Sequence, residues 1–192
     1  MTFTLDPTTT ALIIVDLQRG IVARQAAPHS TSEVVVRCAK LAEEFRSQEA
    51  LVVLVHVAFS DDDRDRLKPD ADSAPPSGPM PSDWSDILPE IGPRPGDIVI
   101  TKRQWGAFYG TALDLQLRRR GIRTLVYGGI ATNFGVESTA RDAYERGFEQ
   151  VFIEDAMSGL TAEAHQFAIT TIFPRMGRIR STDDVLAAIK AR

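Results

Sequence analysis

Hydrophobic residues along this chain fall into two alternating patterns. Short continuous runs of apolar and β-branched residues indicate strands that are covered on both faces of a parallel sheet. Elsewhere apolar residues recur every three or four positions, as on the inward face of a helix. The predicted strands are residues 10–15, 51–57, 98–101, 125–127 and 151–153, with a short edge strand at 177–179. The predicted helices are residues 33–48, 111–121, 136–147 and 162–173, and a last one that Ser181 and Asp184 cap.

The order of these elements predicts the fold class. Strands alternate with helices, and no repeat or linker interrupts the alternation. This order is typical of a three-layer, doubly wound (Rossmann-like) α/β domain with a mainly parallel sheet. With 192 residues, 43% of them hydrophobic, the chain is long enough for one substantial core. We therefore predict a single domain over residues 1–192.

One long segment, residues 60–96, departs from this alternation. It begins with the charged run 60–66 and continues with many prolines, which disfavour both helix and strand. We expect an excursion across the surface, either as a lid or interface element or as a solvated loop. In the first case Trp84 could seal a pocket or form an oligomer contact. The prolines are Pro69, Pro75, Pro76, Pro79, Pro81, Pro89, Pro93 and Pro95.

Charge and hydropathy argue against two classes of partner, nucleic acids and membranes. The formal net charge is −4 and no long basic run occurs, which argues against nucleic acid and against an anionic membrane surface. No apolar run approaches the roughly 18 residues of a membrane span, and the N-terminus does not resemble a signal peptide. We expect a cytoplasmic protein with a small-molecule substrate.

The single cysteine, Cys38, excludes an intrachain disulfide. It lies in the series Val34, Cys38, Leu41 and Phe45, whose spacing is that of the inward face of an amphipathic helix. Because free cysteines are among the most buried residues, we predict a buried core thiol at this position and not a nucleophile.

Candidate chemistry lies where predicted strands end. Asp16 ends the first strand and Lys102 ends the third, and open α/β sheets bind ligands at this edge. A lone Asp is also a common turn residue, and a lone Lys is commonly a surface residue. Residues 127–142 read as a strand, a sharp turn and a helix that Asn133 is suited to cap. Such an elbow often presents a nucleophile, but the candidate position, Gly135, has no side chain.

An aromatic cluster follows Lys102. Trp105, Phe108 and Tyr109 lie in a predicted loop, where aromatic residues favour the wall of a pocket. Gln18 either faces the same crevice or belongs to an ordinary loop.

Three ordered motifs, residues 14–18, 102–111 and 127–142, resemble the isochorismatase-like hydrolase superfamily. The resemblance runs from about residue 8 to the C-terminus and implies a six-stranded isochorismatase-like hydrolase fold. Most members use an Asp, a Lys and a nucleophilic Cys. True isochorismatases have Gly in place of the Cys.

The resemblance also assigns candidate site residues. Asp16 matches the Asp, Lys102 matches the Lys, and Gly135 falls where the Cys would be. A cis peptide is implied at Ile130–Ala131, which would aim the Ala131 and Gly135 amides into the pocket. Phe134 joins the three loop aromatics as a predicted wall.

His56 invites a metal hypothesis, since nicotinamidase-like members carry an Asp-x-His metal motif after this strand. In this chain Leu54 stands two residues before His56, so the Asp of that motif is missing. One ligand does not make a metal site, and we predict a structural histidine, no metal and no cofactor.

Three functions remain open. The first is a hydrolase of the isochorismatase type with Asp16 as acid/base, Lys102 in support and no covalent Cys intermediate. The second is an amidase that acts through water. The third is a catalytically silent ligand-binding member of the family. In each case we expect a homo-oligomer, a dimer or a tetramer.

Overall fold

The computed structural model of the chain describes residues 3–73 and 80–190, so Pro75, Pro76 and Pro79 lie outside the described residues. Six parallel strands form one sheet in the order β3-β2-β1-β4-β5-β6. This architecture confirms the predicted doubly wound α/β fold. The strands are β1 (Thr10–Val15), β2 (Leu51–Val57), β3 (Ile98–Lys102), β4 (Thr124–Ile130), β5 (Glu149–Ser158) and β6 (Arg178–Arg180).

Helices cover both faces of the sheet. They are α1 (Arg19–Val22), α2 (Thr31–Ser47), α3 (Leu113–Arg119), α4 (Glu137–Glu145), α5 (Ala162–Phe167) and α6 (Thr182–Lys190). Two π-helical segments, Thr132–Val136 and Ala168–Ile172, lie before α4 and after α5, and a 3-10 turn follows at Phe173–Arg175. Among the described residues, no helix is both long and apolar enough to span a membrane.

Two element boundaries differ from the sequence prediction for identifiable reasons. Helix α2 begins at Thr31, because Ser30 and Glu33 form a reciprocal capping box. Strand β5 does not end at Glu154 but continues to Ser158. The Asp155 side chain does not end the strand but binds the first residue of α6: its Oδ1 accepts hydrogen bonds from the backbone N and the hydroxyl of Thr182, at 2.7 and 2.9 Å.

The core is divided into two parts by the sheet. On β1, Leu12 and Ile14 face one side, where α2 and α6 pack, whereas Ile13 and Val15 face the other. Cys38 on α2 is fully buried in the first part, which confirms the predicted core thiol.

The described ends of the proline-rich segment pack onto the body of the protein. The Trp84 indole lies directly against the backbone of Gly20 and stacks with Phe59 at a centroid distance of 6.3 Å. Arg66 lies over the other aromatic ring of this stack, 5.2 Å from the Phe59 centroid. Trp84 is therefore an intrachain contact that holds residues 80–90 against the start of α1.

Candidate active site

A buried ion pair joins the ends of two strands. Lys102 Nζ lies 2.8 Å from Asp16 Oδ2, with side chains that are 1% and 10% exposed. Lys102 ends β3 and Asp16 follows β1, and β2 lies between these two strands. The Lys102 side chain therefore crosses the carboxyl end of the sheet to reach its partner.

The backbone and electrostatics of Asp16 are both unusual. Its φ of 54° lies in the left-handed region, and its N–H donates to Val55 O at 2.8 Å. A non-glycine residue is held there only when its surroundings require it, and such positions are frequent at functional sites. Burial raises the pKa of the Asp16 carboxyl, and the Lys102 ammonium offsets only part of this effect. Its second oxygen, Oδ1, is buried and has no hydrogen-bond partner.

Gly135 packs against this pair. A Cβ added to Gly135 would lie 2.9 Å from Asp16 Oδ2, 3.0 Å from Lys102 Nζ and 3.0 Å from Val15 Cγ1. The elbow backbone therefore faces both charged groups, and it approaches them as closely as it does because residue 135 carries no side chain.

The elbow itself is a π-helical turn. Ala131 precedes it in extended conformation, and its carbonyl accepts from the amides of Phe134 and Val136, at 3.1 and 3.2 Å. The Ile130–Ala131 peptide is cis, as the resemblance implies. The prediction that Asn133 caps the helix is wrong, because Asn133 lies inside the π segment and Ala131 holds the capping position.

The predicted aromatic walls divide into two groups. Trp105 and Tyr109 are 64% and 77% exposed, and the Trp105 ring meets Phe134 edge to face at 5.0 Å. Phe108 is buried in the core, with its ring centroid 6.0 Å from that of Phe148. Its role as a pocket wall stays a prediction.

Gln18 is held by three hydrogen bonds. Its side chain is completely buried; Nε2 donates to Val57 O at 2.9 Å and to Trp84 O at 3.2 Å, while Oε1 accepts from Val57 N at 2.8 Å. These bonds tie the end of β2 to the segment that carries Trp84. The substrate-binding role of Gln18 stays a prediction.

His56 has both ring nitrogens in hydrogen bonds. Nδ1 lies 2.8 Å from Ser85 O and Nε2 lies 2.8 Å from Thr101 Oγ1. These contacts are those of a structural histidine. Within residues 3–73 and 80–190, no group of three or more His, Cys, Asp or Glu side chains could hold a metal ion.

Three further polar residues support the elbow, and sequence reasoning did not identify them. Thr132 Oγ1 lies 2.9 Å from His165 Nδ1, and both residues are buried. Thr139 on α4 bonds the carbonyl of Gly135 at 2.7 Å. The available signal was a hydroxyl on the inward, apolar face of α4, beside Ala140.

Clefts also lie elsewhere among the described residues. One of about 380 Å³ is lined by Arg46, Leu51 and Gly96 at the amino end of the sheet, and one of about 330 Å³ is lined by His56 and Pro93. Neither is lined by Asp16 or Lys102. We place the candidate site at the ion pair because a buried carboxyl with a raised pKa beside a lysine can carry acid/base chemistry, whereas a cleft alone does not.

Comparison with known proteins gives consistent results. The family model described as the Isochorismatase domain matches residues 10–184. An uncharacterized isochorismatase family protein, YwoC, of Bacillus subtilis is 50% identical over 191 residues, which cover 98% of each chain. The structure of an isochorismatase family protein from Burkholderia thailandensis has a TM-score of 0.94 and 45% identity, and covers 100% of both chains. An N-carbamoylsarcosine amidase from Thermoplasma acidophilum has a TM-score of 0.73 and 29% identity, and covers 91% of this chain and 97% of its own.

Proposed function

Because this chain belongs to the isochorismatase family, we propose that it is a hydrolase that acts on a small molecule without a covalent cysteine intermediate. Asp16 is the acid/base, Lys102 supports it, and Gly135 contributes backbone alone. The observation that carries the proposal is the packing of Gly135 directly on the buried Asp16–Lys102 pair. A proton-transfer group is present there, while the residue beside it has no nucleophilic atom.

The raised pKa of Asp16 supports proton transfer in both directions. A raised pKa keeps a larger fraction of the carboxyl protonated at a given pH than in an ordinary Asp, and it makes the carboxylate a stronger base. Lys102 Nζ holds Oδ2, so Oδ1 is the oxygen without a competing partner. Asp16 can therefore protonate a vinyl ether or activate a water molecule directly, and this chemistry requires no cofactor.

Cys38 does not replace the missing nucleophile. Its side chain is fully buried, and burial raises the pKa of the thiol to about 12. Thiolate is the reactive form, so Cys38 is inert at neutral pH.

An amidase that acts through water is the second candidate. The similarity to the N-carbamoylsarcosine amidase supports it, since that protein is named as an amidase and shares the fold over most of both chains. The two candidates use the same Asp16 and differ in the bond that is cleaved.

The proposal includes a homo-oligomer, a dimer or a tetramer. The high exposure of Tyr109 and of Trp105, whose ring meets Phe134, supports it, because exposed aromatic groups commonly mark a binding surface. Light scattering after size exclusion measures the mass, and a monomer at micromolar concentration would contradict this part of the proposal.

A substrate panel of vinyl ethers and N-carbamoyl or primary amides tests the function. Asp16→Asn should lower the turnover of any substrate by about 10²- to 10⁴-fold while the fold is retained. Asp97→Asn is the matched control, because Asp97 forms an equally short buried ion pair with Arg46, 2.8 Å long, at the other end of the sheet. It should lower stability and leave turnover intact.

Intact-mass spectra recorded during turnover distinguish the mechanism. We expect no covalent adduct on the protein at any time. An acyl adduct would contradict the noncovalent mechanism, and ligands that bind without turnover would favour the ligand-binding alternative.

A further inference from the structure

A series of hydrogen bonds connects the ion pair to the elbow through the aromatic loop. Lys102 Nζ, besides its contact with Asp16, donates to the carbonyl of Trp105 at 2.6 Å. Two residues further on, the amide of Ala107 donates to Thr139 Oγ1 at 3.1 Å. The loop between Lys102 and Ala107 is thereby attached at one end to the ion pair and at the other to helix α4.

The hydroxyl of Thr139 completes the connection. It donates its one proton to the carbonyl of Gly135 at 2.7 Å and accepts from Ala107 N with a lone pair. Thr139 is completely buried, so no water competes for either bond. Since Gly135 packs on Asp16 and Lys102, the contacts form a closed ring that contains the candidate site.

The close approach of the loop to α4 depends on a second glycine. A Cβ on Gly106 would lie 3.3 Å from Asp142 Oδ2 and 3.7 Å from Ser138 Cβ. Ser138 directly precedes Thr139. Gly106 therefore contacts α4 next to the residue that binds the Ala107 amide.

Thr170 shows what an ordinary helical threonine does. Its hydroxyl donates to Gln166 O, four residues earlier, at 2.7 Å, which is the same local bond that Thr139 makes to Gly135. Thr170 is exposed, whereas Thr139 is buried and also receives the Ala107 amide from another segment. The long-range bond is what distinguishes Thr139.

We propose that Thr139 is a positioning residue that holds the elbow and the aromatic loop in register with the Asp16–Lys102 pair. It touches no substrate and acts through Gly135 and Lys102. The inference rests on the proposed function of that pair and adds the residue that sets its geometry.

The test compares Thr139→Val, which keeps the shape and removes the hydroxyl, with Thr139→Ser, which restores it. Thr170→Val is the matched control. The titration of Asp16 is followed by carboxyl ¹³C NMR, which needs no substrate. Loosening the loop admits water, so Thr139→Val should lower the pKa of Asp16 by about 0.5 or more, toward its ordinary value. Thr139→Ser and Thr170→Val should leave it unchanged.

With a substrate from the panel, Thr139→Val should reduce kcat about 10- to 100-fold with a smaller effect on KM, since misplacement of reacting groups acts mainly on the chemical step. Thr139→Ser should recover most of the rate. If Thr139→Val lowers the melting temperature but leaves both the Asp16 titration and kcat at wild-type values, Thr139 is merely structural and the proposal is overturned.

The wild-type protein provides a test that does not depend on the folding of a variant. Along the closed ring, the amide ¹H–¹⁵N signals of Ala107 and Gly135 should shift with the same midpoint as the Asp16 carboxyl. Signals that do not follow Asp16 would refute the coupling. If they follow it while no substrate is turned over, the positioning role holds and the proposed hydrolase function alone fails.

Discussion

Strand β4 and the elbow that follows it each place a glycine against an ionisable side chain. One of these two neighbourhoods is apolar and the other contains an ion pair. A Cβ on Gly128 would lie 2.9 Å from the sulfur of Cys38 and 3.1 Å from Ala156 O. A Cβ on Gly135 would lie 2.9 Å from Asp16 Oδ2. The first glycine makes room for a thiol in an apolar core, and the second makes room for an ion pair at the edge of the sheet.

The comparison shows that surroundings, more than residue type, decide reactivity. The thiol is placed where burial raises its pKa to about 12, beyond the reach of acid/base chemistry at neutral pH. The Asp16–Lys102 pair, the proposed acid/base site, lies beside Gly135, which offers no nucleophile. Substitutions in the two neighbourhoods should therefore differ widely in the size of their effects.

Placing a second cysteine at position 135, beside the ion pair, should have the largest effect, which is on thiol reactivity. In Gly135→Cys, the new thiol should react with iodoacetamide at least about 10³-fold faster than Cys38, because Asp16 can accept its proton and the Lys102 ammonium stabilises the thiolate, whereas Cys38 lies in an apolar core. The Asp16 and Lys102 side-chain ends must shift slightly to accept the Cβ. Peptide mapping of the labelled sites in the folded protein measures both rates.

The wild-type protein, labelled folded and then unfolded, is the control for Cys38. If the new thiol reacts no faster than Cys38, the site has lost more than its nucleophile, and the ligand-binding function becomes the better hypothesis.

Acid should lower the free energy of unfolding through His165, which contacts the elbow residue Thr132. Burial, together with the nearby His29, lowers the pKa of His165 to about 4, from an ordinary value of 6.5. The unfolded chain thus binds this proton more tightly than the folded protein. Its contribution to stability is complete above about pH 6.5 and is lost as the pH falls toward 4, by up to about 3 kcal/mol.

Urea unfolding across this pH range measures the effect. The difference between wild type and His165→Gln isolates it, because every other ionisable group is present in both proteins. Parallel stability curves for the two would contradict the assignment to His165.

Adding a methyl group at Gly128 on β4 should have a smaller effect on stability. Gly128→Ala places a methyl group against Cys38 Sγ and should lower the free energy of unfolding by about 1–3 kcal/mol, as overpacking of a core usually does. Adding Cys38→Ala should recover part of the loss, which a double-mutant cycle measures. If the changes in unfolding free energy of the two substitutions simply add, the new methyl group does not contact the Cys38 sulfur.

The smallest effect is expected from Tyr127 on β4. Its hydroxyl is buried without a hydrogen-bond partner, and the ring stacks on Phe152 at a centroid distance of 5.3 Å. Tyr127→Phe removes an unsatisfied polar group and keeps the stack, so it should stabilise the protein by up to about 1 kcal/mol. A loss of stability in thermal or urea unfolding would mean that the hydroxyl is satisfied in solution.

Much of the fold and part of the site could be predicted from local patterns. Continuous apolar runs located strands such as β1 and β2 at their observed bounds, and the spacing around Cys38 placed it in the core. Asp16 and Lys102 became candidates because they end such runs and parallel strands place their carboxyl ends at one edge of the sheet, and the family resemblance assigned their roles.

The directions of individual side chains were decided by the tertiary structure alone. Gln18 and Phe108 carried local signals like those of Asp16 and Lys102, yet Gln18 is bound by Val57 and Trp84, and Phe108 packs beside Phe148. A hydrogen bond or a core contact between residues distant in sequence depends on which segments the fold brings together, and local periodicity does not encode it. The sequence by itself therefore determined the strands, the helices and the edge at which chemistry is expected. The packing of Gly135 on the ion pair and the bond from Ala107 to Thr139 exist only where separate segments meet.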